Sequence, residues 1–290
     1  MFERQFGGPG GLVSNATQRR VRLVALYLTA LLLTAFVVTP LYMMVVVALQ
    51  SPETLFSGGD LTLVPPQLSL ANFETLLEST ETVQYLINSL VITTGVVVLS
   101  TVLSVVSGYG LTRFDFRGKT VAARVILFSY MVSPIVLAIP LYIIFFTLGL
   151  LNSYVAAILA ITAIAAPFSI WLMWQYFQNI PTTYEESAWT SGASRWRTVR
   201  DVVLPLARPG YISVAIFSFS VAWNDYTMVK IVLSDQSLYP ITLGSSLFLD
   251  QLVIGWGEQM AVSLLMSIPP FLVALFLQNY LLQGFNLGHE

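Results

Sequence analysis

Cysteine is absent from the 290 residues, and the one histidine, His289, is the penultimate residue. The first absence excludes disulfides, zinc–thiolate sites, iron–sulfur clusters and cysteine nucleophiles. The second leaves no histidine cluster for a metal and no histidine base in a core. Charge is scarce too: Asp, Glu, Lys and Arg make up 10% of the chain, against about 25% in an ordinary globular protein. Hydrophobic residues reach 56% and mean hydropathy is +0.76. So little charge cannot solvate the surface of soluble domains. The composition predicts an all-α polytopic membrane protein.

The few charges mark where the chain crosses the bilayer. Charge-free runs cover Leu23–Pro52, Thr82–Thr112, Val125–Tyr184, Pro209–Asn224 and Gln259–His289. A hydrocarbon core takes about 20 helical residues, so the third run holds two spans, turned at Gly149-Leu150-Leu151-Asn152-Ser153. The fifth span must continue past Asp225. Six transmembrane helices are expected, over 23–49, 85–111, 121–148, 154–178, 209–233 and 260–282. The first apolar run is far longer than a signal peptide's, so it reads as a retained span. Residues 1–21 read as an N-terminal tail, disordered over the glycine-rich, polar stretch 1–18, and residues 22–290 as one transmembrane domain.

Of the 13 basic residues, all but Lys230 fall in three regions. Arg4, Arg19, Arg20 and Arg22 precede the first span; Arg113, Arg117, Lys119 and Arg124 join the second to the third; Arg195, Arg197, Arg200 and Arg208 join the fourth to the fifth. Six spans put these regions on one side, and the positive-inside rule makes that side, with both termini, cytoplasmic. The opposite loops carry Glu53, Asp60, Glu74, Glu78, Glu81, Asp235, Asp250 and Glu258 without a balancing base.

The cytoplasmic segment 181–208 is more than a connector. Thr183 and Glu186 stand at capping-box spacing, and Glu185 and Glu186 fall in a first turn, where the helix dipole favours them. Gly192 is the expected left-handed end of that helix, and Ser194 the cap of a second. Trp196, Val199 and Val203 then form one apolar stripe, and Pro205 ends the helix. Two short exposed helices with tryptophans and charges are either a plug for a partner protein or a solvated joint between spans.

The spacing of this segment resembles the EAA loop of permease subunits of ABC importers. Glu186-Ser187-Ala188, then Gly192-Ala193, Val202 and Leu204-Pro205 keep the spacing of Glu-Ala-Ala, three residues, Gly, nine residues, Ile, one residue, Leu-Pro. Ser187 replaces an alanine, Val202 an isoleucine, and Ser191 stands where many members carry aspartate. Elsewhere Pro65-Pro66-Gln67, Leu70-Ala71-Asn72-Phe73, Asn88-Ser89-Leu90 and Gly108-Tyr109-Gly110-Leu111-Thr112-Arg113-Phe114 are similar to sugar-importer permeases. So are Ile139-Pro140-Leu141-Tyr142, Leu148-Gly149-Leu150, Pro167-Phe168-Ser169-Ile170-Trp171-Leu172-Met173, Trp223-Asn224-Asp225-Tyr226 and the ending Gln283-Gly284-Phe285-Asn286-Leu287-Gly288. Together they resemble the maltose-type subfamily.

That resemblance implies the six-span type I ABC-importer fold, a second related permease subunit, a cytoplasmic ATPase dimer and an extracytoplasmic solute-binding protein. The ATPase would bind ATP and Mg, and the segment from Glu186 to Pro205 would dock on it. This chain is expected to hold no cofactor and to be no enzyme. Gly118-Lys119-Thr120 ends like a phosphate-binding loop, but Arg113 stands where its first glycine must be. Residues 51–84 and 234–258 are the expected footing of the binding protein.

Polar groups inside spans face protein or a water-filled path. Sugars are held by aromatic faces and by amides and carboxylates, so Trp223, Asn224, Asp225 and Tyr226, with Asn88, are candidate path residues; an interfacial anchor is the other reading of the same cluster. Asp225 and Lys230 are five apart and face different sides of an ideal helix, against an ion pair. Trp171 and Trp174 suit an aromatic belt at the cytoplasmic interface. Pro134, Pro140, Pro167 and Pro269-Pro270 interrupt backbone bonding within spans. A secondary transporter needs an ion relay, for which Asp225 and Lys230 are a thin basis. A membrane enzyme lacks the residues for its chemistry. An importer for another small polar solute stays open.

Overall fold

The computed structural model describes residues 10–51, 67–250 and 255–286. Among them every regular element is a helix. Among the described residues four helices are long and apolar enough to cross a membrane, or up to six spans if each of two bent pairs counts as one. The chain divides into two compact units, residues 1–72 with 255–261, and residues 73–254 with 262–290.

The first unit is dominated by α1 (Gly10–Ala48). It starts at Gly10, so half of the stretch read as a disordered tail continues the helix, since adding residues to a formed helix is far easier than nucleating one. A helix end leaves carbonyls without partners. Here Asn72 supplies them: its Nδ2 donates to the carbonyls of Ala48 and Gln50, at 2.8 Å each. Gly257 lies against that amide, where an added Cβ would come within 2.6 Å of Nδ2.

The second unit is built on three mutually packed helices, α3 (Thr80–Arg113), α6 (Tyr154–Gln178) and α9 (Arg208–Trp223), with the short α2 (Ala71–Glu78) before them. Small residues let the backbones approach, as membrane helices require. On α6, Ala157, Ile161, Ala165, Ser169, Met173 and Phe177 recur every fourth position and are all buried. Gly108 of α3 sits so close to α6 that a Cβ there would meet Met173 at 2.9 Å and the backbone of Trp174 at 3.0 Å. Ser169 and Ser218 of α9 share a hydrogen bond at 3.3 Å inside this core. Trp174 keeps its indole N–H buried in protein, with no hydrogen-bond partner among the described residues.

Two expected spans are broken. Where one helix was expected over 121–148 there are two, α4 (Lys119–Ser129) and α5 (Pro134–Thr147), bent by 102°. Pro134 takes the first position of α5, where its missing N–H costs nothing. Where one was expected over 209–233, α9 stops at Trp223 and α10 (Thr227–Val232) resumes after Asn224-Asp225-Tyr226. After α10 come a 3₁₀ turn at Gln236–Leu238, α11 (Ile241–Asp250), packed on α3, and α12 (Trp256–Asn286).

The turn between α5 and α6 falls at 149–153 as the composition predicts. Gly149 and Asn152 both have positive φ, 67° and 59°, a conformation asparagine tolerates better than most. The Asn152 carboxamide oxygen accepts the backbone N–H groups of Ser234 (3.1 Å) and Asp235 (2.8 Å), while the Asn152 backbone N–H donates to the Val232 carbonyl. The turn is thereby tied to the segment after α10. Within that segment the Ser237 N–H and hydroxyl both donate to Asp235, holding its carboxyl below the usual carboxylate range.

Candidate functional site

The segment 181–208 folds as two short helices, α7 (Thr183–Thr190) and α8 (Arg195–Leu206). Gly192, at φ +87°, ends α7 in a full Schellman arrangement. The Ala193 N–H donates to the carbonyl of Ala188 and the Gly192 N–H to that of Trp189. The Ser194 hydroxyl then accepts the Arg197 N–H at 3.3 Å and starts α8. Gly192 and Ser194 thus hold the positions expected of them.

Three details differ from expectation. The capping box of Thr183 and Glu186 does not form. The helix starts one residue earlier, with the N–H groups of Glu185 and Glu186 on the Thr182 carbonyl, so Thr183 lies inside the first turn. Pro205 does not end α8, which runs through it to Leu206 and bends by 71° into α9. The chain accommodates the missing proline N–H in a π-helical stretch, Val199–Val203, where the Leu204 N–H reaches back five residues to Val199. That wider turn also splits the expected stripe. Val203 is buried, Val199 half-buried and Trp196 73% exposed.

Of the motif residues, Glu186, Ser187, Gly192 and Pro205 are exposed, while Ala188, Ala193, Val202 and Leu204 are half-buried. Trp189 carries the Arg195 guanidinium over its ring at 5.4 Å. Between these helices and the end of α3 lies a cleft of about 360 Å³, lined by Arg113, Phe114, Glu186, Trp189 and Trp196 among others.

One member of the site has a role that the sequence does not reveal. Glu185, adjacent to the motif glutamate, is 1% exposed and pairs with Arg113 at the end of α3. Its other oxygen accepts the Tyr109 hydroxyl at 2.9 Å. The available signal was an arginine closing a long charge-free run, with a second glutamate to receive it.

At the helix-5 break the candidate path residues have separate tasks. Trp223 is buried, stacks on Phe219 at 5.7 Å and donates its indole N–H to the Met266 carbonyl at 3.0 Å. Asn224 is exposed and caps α9 through Ser220. The Asp225 carboxylate accepts the N–H groups of Met228 and Val229, both at 3.1 Å, and so caps α10. Tyr226 is exposed, with the Lys230 ammonium over its ring at 5.7 Å. Asn88 is fully buried and fully used. It donates to the carbonyls of Ser237 and Tyr239 and accepts from Gln84 and the Tyr154 hydroxyl, all within 2.9 Å. With no hydrogen-bonding capacity left for a solute, it drops out of the candidate path.

Apolar spans, bent helices and an exposed two-helix elbow below them define a multi-pass membrane transport subunit. Residues 100–287 match the family described as binding-protein-dependent transport system inner membrane component, and the chain belongs to that family. Its relatives include the trehalose/maltose transport system permease protein MalG of Thermococcus litoralis, 30% identical over 91% of this chain and 95% of that one. They also include the diacetylchitobiose uptake system permease protein DasC of Streptomyces coelicolor, 30% identical over 90% and 94%. In fold the chain is similar to a subunit of a bacterial ABC transporter for the import of alginate, with a TM-score of 0.76 over 96% of this chain and 99% of that one, at 20% identity.

Proposed function

We propose that this chain is one half of the membrane path of an ATP-driven sugar importer. The observation that carries the reading is the elbow itself: the EAA spacing coincides with a Schellman turn at Gly192 and a capped second helix at Ser194, presented on exposed faces. In this reading the residues from Glu186 to Pro205 dock on a cytoplasmic ATPase dimer, which binds ATP and Mg. A second related permease completes the path, and a solute-binding protein delivers sugar on the opposite face, where residues 51–84 and 234–258 are its footing, 52–66 and 251–254 lying outside the described residues. Both termini are cytoplasmic, on the side of the basic residues. The names of MalG and DasC support a sugar cargo, and exposed Asn224 and Tyr226 are the path residues retained. Asp225, whose carboxylate holds two backbone N–H groups, offers little to an ion relay.

The test is uptake of labelled di- and oligosaccharides by cells with and without this gene. Loss of uptake for at least one sugar, restored by the gene together with its ATPase, is expected. Unchanged uptake across the panel would sink the sugar reading.

A further inference from the structure

The notch between α3, α6 and α7 holds the most heavily bonded charged group among the described residues. The Arg113 guanidinium presents a planar fork of donors. Its Nε faces Glu185 on α7, its Nη2 donates to the Ile180 carbonyl at 2.8 Å, and its Nη1 reaches the Phe177 carbonyl at 3.5 Å. Phe177 and Ile180 flank the C-terminus of α6, where the negative end of the helix dipole favours a cation. One turn earlier on α3, Tyr109 donates to the second Glu185 oxygen and sets its ring edge-on against Phe177, centroids 5.8 Å apart. The side chains of Arg113 and Glu185 are 11% and 2% exposed, so salt screens them little.

A buried ion pair is weak evidence for stability, because desolvation offsets much of the attraction, whereas fixed bonds do specify geometry. An apolar contact here would allow α7 to slide beneath the spans. Bonds that tie α3 to both α7 and the end of α6 do not. Above the notch, α3 and α6 are already pressed together at Gly108, so whatever Arg113 holds moves with both. We propose that Arg113 and Glu185 are positioning residues: they lock the elbow helix α7 to the ends of α3 and α6, so that a push on the elbow is delivered to two spans at once. This rests on the reading of the elbow as the ATPase seat and adds the joint by which the seat is fixed to the path.

The test uses the whole complex in liposomes, with partner permease, ATPase and binding protein, and reads sugar taken up per ATP hydrolysed. Glu185→Ala empties the joint and leaves a buried guanidinium, and uptake per ATP should fall roughly tenfold while ATPase subunits stay bound. Glu185→Gln keeps an acceptor for Arg113 and a partner for Tyr109, and should restore most of the ratio. A role in folding alone would lower uptake and hydrolysis together and leave the ratio as in wild type, which would overturn the proposal. Should Glu185→Ala fail to assemble, Arg113→Lys serves: it keeps the charge but loses the fork, and an unchanged ratio for it overturns the joint equally. A wild-type complex that takes up no sugar would instead defeat the functional reading, independently of the joint.

Discussion

At the scale of single residues, Gly192 carries the most consequence. Its φ of +87° is one that a β-branched side chain strongly resists, at a cost of about 1–3 kcal/mol, although open space surrounds it. Gly192→Val should therefore distort the Schellman turn without any clash, and co-purification of the ATPase and sugar uptake should both drop. Normal uptake with full ATPase recovery would refute docking at this elbow. Asn224 and Asp225 give a second contrast. If Asn224 lines the path, Asn224→Leu leaves substrate hydroxyls unpaired, worth about 1–3 kcal/mol, and should slow transport while assembly and basal ATP hydrolysis persist. Asp225→Asn keeps an acceptor for Met228 and Val229 and should be tolerated. Transport lost only in Asp225→Asn would favour charge coupling. Gly192 was legible in the sequence because its conformation depends on few neighbours. Glu185 and Asn88 were not, because their partners stand 72 and 151 residues away along the chain.

At the scale of elements, α8 shows how a local cap and a distant constraint share one helix. Ser194 starts it, and an exposed cap of this kind contributes about 1 kcal/mol. Ser194→Ala should fray the first turn and speed tryptic cleavage after Arg195 and Arg197 roughly fivefold in inverted vesicles, while Ser194→Asp should protect it. Equal cleavage of all three forms would show that the cap does not control the turn. The far end of α8 follows a different rule. Pro205 was expected to stop the helix on propensity alone, yet Val203 is anchored in a cluster with Met173, Phe177 and Val214. Packing holds the helix on course, and the π-helical stretch absorbs the proline. The third and fifth spans are divided by local features, Pro134 and the Asp225 cap. Hydropathy reports how many apolar residues there are and says nothing of where Asp225 caps a new helix or where Pro134 starts one.

For the molecule as a whole, the charge pattern sets the expected orientation. A cysteine at Ser237 should react with an impermeant maleimide in intact cells, and one at Ser194 only after lysis; the chain has no cysteine of its own to give background. Labelling of position 194 from outside would invert the arrangement. That the chain is helical and crosses the membrane several times was readable from composition, since lipid imposes its length on any span, whereas the pinning of the irregular segment after α10 was not. That segment has a consequence for dynamics. The backbone amides of Ser234 and Asp235 are held by Asn152, Ser237 by Asp235, and Ile241 by the Ser89 hydroxyl at 2.7 Å. Irregular loops ordinarily take up deuterium within seconds. This one should exchange like a helix interior, and Asn152→Ala should release Ser234 and Asp235 first, leaving Ile241 slow: a loop with a single 3₁₀ turn that keeps time with the core.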